Sequence, residues 1–458
     1  MATYLRKAFS TTGNRQKFSL SMWVKRASGL GVEQMLCECY SGSSAKDEIW
    51  LQTNNTINFV TSNPDGLATT SSAEFKDASS WYHFLFAGDS TQASNANRIK
   101  IYKNGVQQAL AQQDTIPQNQ NFQFGNTGTE LTFGMRNATD WYFNGSMSNV
   151  EMVDGQQYGP EYFGSFDSVS GIWTPQASST ISDYGTNGFK LKMDTTSPGA
   201  DTSGKGNTFT ASGTPTLTQG SPSNNYACMN PLKTQNGYSL TMNNGNLRVR
   251  QGQAGQTNSI PCTMPVKKGK WYVEVQPVSS LSNSAVAFGI GQAGYGGSFL
   301  NGEVGGFPGS LGGVHYNNSG NIQWYASGDQ STSTGTTFTG GSSDKIAIAL
   351  DCDNTKIYWY KNNVLVNSGG FDYSVCTGSF DSPFTTDKQS IVGEYVVFMM
   401  AGNHSSGDDV VVNWNFGDGF FATAAAGTNA DGNGQGLFAY PPPTGYYALN
   451  TKNLEAYG

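Results

Sequence analysis

Charge is scarce in this chain. Asp, Glu, Lys and Arg supply 13% of its 458 residues, against roughly 25% in an average soluble domain. The formal net charge is −7, and the one close cluster of cations, Lys267-Lys268-Gly269-Lys270, precedes a strand pattern. An acidic chain without a basic face argues against a nucleic-acid partner. No run of about 18 apolar residues occurs, so no membrane insertion is expected. The six cysteines form no Cys-x-x-Cys and have no His nearby, which removes the common zinc spacings. Cys37 and Cys39, two apart on a strand, point the same way and cannot easily bond each other. All six are read as free thiols of a reducing cytosol. Helical periodicity is nearly absent: Ser72 to Asp77, Gln107 to Gln113 and Ala422 to Ala426 are the only candidates, each too short to matter.

In place of charge the chain has turn formers and aromatics. Gly numbers 57, and Asn, Ser and Thr are abundant. Gly and Asn supply positive φ while Ser and Thr bond nearby backbone, a mixture suited to short strands and many turns. Phe and Tyr number 26 and 22, enough large side chains to fill sandwich cores at a modest hydrophobic content. Alternation is widespread. Phe18, Leu20, Met22 and Val24 face one way, and Ser19, Ser21, Trp23 and Lys25 the other. One phrase occurs twice. Trp81 to Ala87, a polar loop, and Arg98 to Val106 are matched by Lys345 to Leu350, a loop, and Lys356 to Leu365. Each phrase ends in Lys-Asn and a dipeptide, Asn104-Gly105 or Asn362-Asn363, able to close a two-residue primed turn. The repeat implies two β-sandwich modules in tandem.

The stretch from Thr195 to Asn225 loses its hydrophobics and marks a boundary. The organisation expected is a module over 1–194, a Ser/Gly/Pro-rich linker over 195–225 lying against one of the modules, a second module over 226–418, and an extended C-terminal segment over 419–458. The N-terminus, Met1-Ala-Thr-Tyr-Leu-Arg-Lys, lacks the apolar core of a signal peptide. A leaderless chain with this composition fits a protein assembled inside a cell and exposed later.

Residues 1 to about 194 resemble a LamG-like, concanavalin-type jelly roll through Phe18 to Arg26, Trp81-Tyr-His-Phe84, Arg98 to Gly105 and Phe143 to Val150. Residues 226 to about 418 resemble a SPRY domain through Gly269 to Val275, Phe288-Gly-Ile-Gly291, Asp344 to Asp351, Tyr358 to Asn363 and Val412 to Gly417. The joining segments Asp201 to Phe209, Ser221 to Leu232 and Pro443 to Leu454 are similar to structural proteins of tailed phages, especially those of aquatic bacteria. The resemblance implies an all-β virion protein assembled in the host cytoplasm. It would decorate the capsid or form a tail fibre or appendage that adheres to the host surface. Other virion proteins, further copies of this chain and a host surface glycan are the partners it implies.

Sandwiches of this type include glycoside hydrolases, whose retaining members need two carboxylates about 5–5.5 Å apart. Asp47 and Glu48 face opposite sides of a strand, Glu151 and Asp154 are at odd spacing, and Glu274 and Glu394 stand alone; all are read as exposed strand carboxylates. His83 falls in an aromatic strand, His315 and His404 in loops, and no Gly-x-Ser-x-Gly elbow or His-x-x-x-His occurs. No catalytic residue and no metal ligand are therefore assigned. Calcium is the one metal left open, because LamG-like modules often hold an ion at a sandwich rim. Asp89, Asp140 and Asp154 are the loop or strand-end carboxylates of the first module. Asn429-Ala-Asp-Gly-Asn-Gly434 imitates the start of a calcium loop but carries Tyr440 at its twelfth position, so turn chemistry explains it better. The residues expected at interaction surfaces are Tyr295, Phe299 and Phe307 in the Gly-rich loop from Gly291 to Gly313, and Trp141 beside Asn137 and Asp140. The second set has the make-up of a glycan site, so a carbohydrate-binding lectin, with or without calcium, is the alternative to a purely structural role.

Overall fold

The computed structural model describes residues 3–42, 45–62, 66–136, 140–168, 170–176, 180–194, 196–232, 240–252, 257–279, 281, 284–292, 313–325, 329–378, 389–390, 396–404, 409–421 and 424–458. The chain divides into two compact units, Met1–Leu217 with Ser221–Ser223, and Thr218–Gly220 with Asn224–Gly458. Both are two-sheet, antiparallel β-sandwiches, so the chain is all-β with tandem jelly-roll modules and an extended C-terminal segment.

The first unit contains β1 (Tyr4–Ala8), β2 (Lys17–Arg26), β3 (Gln34–Tyr40), β4 (Lys46–Leu51), β5 (Thr56–Ser62), β6 (Gly66–Glu74), β7 (Trp81–Asp89) and β8 (Ile99–Lys103). It continues with β9 (Val106–Gln107), β10 (Leu110–Gln113), β11 (Glu130–Phe133), β12 (Gly145–Asp154), β13 (Gly164–Phe166), β14 (Trp173–Pro175), β15 (Phe189–Leu191) and β16 (Thr210–Ser212). One sheet has the order β10-β6-β5-β4-β3-β11-β1-β16, the other β15-β12-β2-β7-β8-β9. Between them Phe18, Phe59, Phe84, Phe122, Phe124 and Phe133 form an aromatic core with Leu20, Met22 and Val24. The alternation along β2 supplies this inner face, but its other face is buried too. Trp23 packs with Trp81 and Trp173, the last carried by β14. Phe163, Ile181 and Tyr184 cover Leu85, Ala87 and Val153 on the same outer surface. Part of the Ser/Gly/Pro-rich stretch joins this unit: β16 pairs with β1, and Phe209 enters the core.

The second unit begins with β17 (Leu240–Asn243), β18 (Arg248–Gln251), β19 (Thr257–Pro261), β20 (Lys270–Pro277), β21 (Ser284–Gln292), β22 (Gly313–Asn317), β23 (Asn321–Tyr325), β24 (Asp329–Ser333), β25 (Ile346–Asp351) and β26 (Lys356–Lys361). Then come β27 (Val364–Leu365), β28 (Phe371–Asp372), β29 (Thr377–Gly378), β30 (Gln389–Ser390), β31 (Val396–His404), β32 (Val410–Asn415), β33 (Phe420–Phe421), β34 (Ala424–Ala425) and β35 (Tyr447–Ala448). Its sheets run β17-β18-β32-β20-β25-β26-β27 and β19-β31-β21-β22-β23-β24. A C-terminal helix, α1 (Thr451–Tyr457), is capped by Asn450 Oδ1, which accepts the Asn453 N–H. Where described, the three short helix candidates of the sequence are not helical: β6 reaches Glu74, β9 and β10 lie between Val106 and Gln113, and β34 holds Ala424 and Ala425.

Eleven strands of the first sandwich recur in the second. The path β12-β2-β7-β8-β9 corresponds to β32-β20-β25-β26-β27, and β1-β11-β3-β4-β5-β6 to β19-β31-β21-β22-β23-β24, in the same chain order. Register agrees as well. Lys17 lies opposite Asp89 and Lys270 opposite Asp351, and each pair forms an ion pair. Both turns that the sequence singled out have two central residues at positive φ: Asn104 and Gly105 at 47° and 79°, Asn362 and Asn363 at 49° and 68°. In each, the first Asn binds back near the start of the strand that pairs with the one before the turn, β7 or β25. His83 N–H donates to Asn104 Oδ1 (2.8 Å) and Lys345 N–H to Asn362 Oδ1 (2.9 Å).

Candidate functional site

The outer face of the eight-stranded sheet carries an aromatic and acidic cluster. β3 and β4 pair with Glu38 directly opposite Glu48, and with Met35 opposite Trp50. Cys37, Cys39 and Ile49 turn into the core, so period 2 sends Glu38, Glu48 and Trp50 to the other face. Glu48 is 3% exposed and Trp50 9%. Over them lies the segment around Arg136, Asp140 and Trp141. Arg136 and Asp140 exchange backbone hydrogen bonds (3.0 and 3.3 Å), and the Met35 N–H, beside a bulge in β3, donates to the Trp141 carbonyl (2.7 Å). Trp141 adopts φ 50°, in the left-handed region; a bulky residue there costs of order 1–3 kcal/mol and persists only where its surroundings hold it.

Charge and aromatic contacts converge at this point. The Trp50 and Trp141 rings meet at 5.7 Å and 47°, and the Arg136 guanidinium carbon lies 4.1 Å from the Trp141 ring centre. Arg136 Nε is 3.8 Å from Glu48 Oε1 and 4.0 Å from Asp140 Oδ1, while Lys46 Nζ binds Glu48 Oε2 at 2.6 Å. Glu33 borders the cluster. Burial pushes its carboxyl above the usual range, Arg136 pulls it back, and Glu48 pushes it up further. Glu33 Oε2, Glu48 Oε1 and Trp50 Nε1 are buried and have no hydrogen-bond partner among the described residues. Buried polar atoms are paired in the great majority of cases, so three orphans in one place are a signal.

Of the residues expected at interaction surfaces, Trp141 is thus placed beside Asp140, half-buried and stacked. Tyr295, Phe299 and Phe307, like Asn137, lie outside the described residues. Glu48, Trp50 and Glu33 were not anticipated. The available signal was the i, i+2 spacing of Glu48 and Trp50, which puts both on one face, combined with a β3–β4 hairpin that sets Glu38 opposite.

The strand carboxylates expected to be exposed are buried. Asp47, Glu48, Glu151, Asp154 and Glu274 are all under 9% exposed, because each meets donors that replace water. Asp47 accepts from the Gln123 and Phe124 N–H groups, and Glu151 from the Tyr184 hydroxyl and Lys190. Glu274 takes the Ala439 and Tyr440 N–H groups (both 2.9 Å) and the Asn415 amide. It thereby pins the C-terminal segment to the outer face of its sheet, where Tyr226, Tyr272, Phe438 and Ala448 pack together. Glu394 lies outside the described residues.

Of the carboxylates considered for calcium, Asp154 and Asp89 are occupied by donors of hydrogen bonds, while Asp140 is exposed and lies 4.0 Å from Arg136 Nε. Asp154 accepts the Asn14 and Asn187 N–H groups, Asp89 the Thr91 N–H, the Thr91 hydroxyl and the Gln92 amide. Asp431, in the calcium-loop imitation, accepts the N–H groups of Asn433, Gln435 and Ala448. Among the described residues no group of three or more His, Cys, Asp or Glu side chains could hold a metal ion. All six cysteines are free thiols.

One buried pair has the outline of a nucleophile and its base. Ser21 Oγ lies 2.8 Å from His83 Nε2, but Trp173 Nε1 donates to His83 Nδ1 at 3.0 Å. An indole N–H can only donate, so Nδ1 is the acceptor, and the ring proton of a neutral imidazole sits on Nε2, pointing at Ser21. Burial pushes the His83 pKa down to about 3. His83 therefore donates to Ser21 and cannot take its proton. His315 and His404, expected in loops, are strand residues of β22 and β31.

Residues 3–156 match the family model Laminin_G_3, described as the concanavalin A-like lectin/glucanases superfamily. The first unit holds a concanavalin-like module. No curated protein matches the chain. Similar solved structures include the SPRY domain of human HERC1, at 16% identity over 41% of this chain and 96% of that one, with a TM-score of 0.28. A human SPRY domain is similar at 18% identity over 40% and 95%, with a TM-score of 0.25. A heptameric SAP-like pentraxin from Limulus polyphemus is similar at 12% identity over 33% and 69%, with a TM-score of 0.26.

Proposed function

We propose that this chain is a non-catalytic adhesion protein whose first unit binds carbohydrate. In this reading it is displayed on a tailed-phage particle, as capsid decoration or as a tail appendage that touches the host surface. The observation that carries the reading is the Trp50–Trp141–Arg136 cluster over Glu48. Sugars are held by stacking on aromatic rings and by hydrogen bonds to planar polar groups, and this surface offers both. A concanavalin-like match over residues 3–156 supports a binding module, as does the second sandwich of the same topology, read here as SPRY-like. The phage setting rests on the resemblance of the joining segments. Docking onto other virion proteins and assembly with further copies of the chain belong to the same proposal.

A glycan array probed with the full-length protein is expected to give binding that Trp141→Ala reduces at least ~10-fold, the loss of a stacked ring worth about 1.5 kcal/mol. Substrate incubated for long periods is expected to remain uncleaved; released reducing ends would overturn the non-catalytic reading. Immunogold labelling of intact particles is expected to mark the capsid or the tail. Glycan binding without particle labelling would favour a soluble lectin instead.

A further inference from the structure

We infer that Asn244 is a site of spontaneous deamidation, its side-chain amide displaced by the Gly245 backbone nitrogen. The chain has seven Asn-Gly pairs, and five of them lie among the described residues. Glycine lacks the Cβ that would screen its nitrogen from the preceding side chain. Every pair therefore shares the chemistry, and the fold decides which one reacts.

In four of the five the fold restrains the reacting groups. Asn104 Oδ1 accepts the His83 N–H (2.8 Å), and the Trp173 ring lies against Gly105. Asn144 Nδ2 donates to the Ser28 carbonyl (2.9 Å), and Gly145 is paired with Arg26 in β12. Asn187 is 2% exposed, and its Nδ2 donates to the Thr11 and Gly125 carbonyls (both 2.8 Å). Asn433 Nδ2 donates to Asn453 Oδ1 (2.9 Å), while the Gly434 N–H is committed to the Asp431 carbonyl (3.0 Å).

Asn244 has none of these restraints. It begins the turn from β17 to β18, of which only the second half is anchored. There the Met229 N–H donates to the Asn246 carbonyl and the Trp414 N–H to the Leu247 carbonyl, and both Asn246 and Leu247 are buried. The Asn244 carbonyl accepts the Leu247 N–H at 3.2 Å, but its side chain and the Gly245 N–H form no hydrogen bond among the described residues. Asn244 is half-buried, and the space where a Gly245 Cβ would stand is empty to 4 Å. Among the described strands β17 is the outermost of its sheet and pairs with β18 alone, so the turn can open locally. Asn244 and Gly245 have φ of 54° and 67°, and that opening supplies the rotation that brings the Gly245 nitrogen to Asn244 Cγ.

Solvent base removes the Gly245 amide proton, and the nitrogen attacks Asn244 Cγ. The Cγ–Nδ2 bond breaks, ammonia leaves with a proton from water, and a cyclic imide remains. Water then adds to one of its two carbonyl carbons and cleaves the bond from that carbon to nitrogen. Opening at Cγ gives aspartate. Opening at the main-chain carbonyl gives isoaspartate, which lengthens the turn by one methylene.

The test incubates the folded, full-length protein at mildly alkaline pH and follows the five pairs by peptide mass spectrometry as amide NH2 is replaced by OH. Asn244 is expected to convert at least ~10-fold faster than any of the other four, the value of about one hydrogen bond kept in place. In denaturant the five rates are expected to converge, because the restraints on the other four belong to the fold. Asn244→Gln should remove the product from its peptide, since the longer side chain closes the ring far more slowly. Product persisting in that variant would assign the reaction to Asn243 or Asn246 and overturn the inference. Equal or earlier loss of amide at any of the other four pairs in the folded protein would also overturn it. So would a lead for Asn244 that persists unchanged in denaturant, which would make flanking sequence the cause.

Discussion

A carboxylate taken into an apolar core keeps its charge only where donors replace the lost water. Asp47 shows how far such replacement reaches. Its neighbours on the inner face of β4 are Ile49 and Leu51, and it is fully buried. The N–H groups of Gln123 (2.5 Å) and Phe124 (3.2 Å) bind its Oδ2. Burial outweighs these donors and lifts the pKa from 3.8 to about 6. A carboxyl with a raised folded pKa contributes most to stability below its unfolded pKa, near pH 4, and loses that contribution as pH rises through about 6. Asp47→Asn keeps one acceptor for the two N–H groups and removes the titration. The stability of this variant relative to the parent is therefore expected to grow from small at pH 4 to on the order of 2–3 kcal/mol in its favour at pH 8. Denaturant melts at the two pH values measure it. Parallel curves for the two proteins would show that Asp47 does not titrate on folding.

At the level of elements, a primed turn of the same kind fixes a hairpin register within each module. Asn362 combines a left-handed backbone with an acceptor for the Lys345 N–H. Asn362→Ala places a Cβ in the disfavoured region and removes the acceptor, and is expected to cost about 1–3 kcal/mol. Asn362→Gly keeps the backbone freedom and should cost less. Equal losses in the two variants, measured by chemical unfolding, would assign the effect to the hydrogen bond alone. These turns and the alternation of β2 were legible because they are local: a two-residue dihedral requirement and a period of 2. The site was only half legible. Trp141 could be picked out as an aromatic beside an acid, but Glu48 and Trp50 reach it through the β3–β4 register and a hydrogen bond from the Met35 N–H to the Trp141 carbonyl, which no local pattern encodes. The burial of Glu274 was illegible for the same reason, since its donors come from Ala439 and Tyr440, more than 160 positions away.

Over the whole molecule, the repeated topology explains where a binding face can lie. In each sandwich the sheet built on β2 or β20 has its outer surface covered by chain that follows its last long strand: Phe163, Trp173 and Tyr184 after β12, Phe438 and Ala448 after β32. In the first unit that leaves the eight-stranded sheet to present the half-buried Trp141, stacked over the buried Trp50. A chain with 13% charged residues and a net charge of −7 has little long-range field to steer a charged ligand, and in the proposed reading contact there depends on stacking and hydrogen bonds at short range. Raising NaCl to about 1 M shortens the Debye length to roughly 3 Å, which weakens exposed ion pairs but not a stacked, partly buried sugar. Glycan affinity is accordingly expected to stay within about twofold between low and high salt. A chelator is expected to leave it unchanged, because Asp89 and Asp154 already accept N–H donors that a cation would have to displace. Titrations of one neutral oligosaccharide in low salt, in high salt and in excess EDTA make the comparison. A steep fall with salt would mean that ionic contacts hold the ligand, and a fall in EDTA would mean that a carboxylate assigned here to backbone capping serves a metal ion.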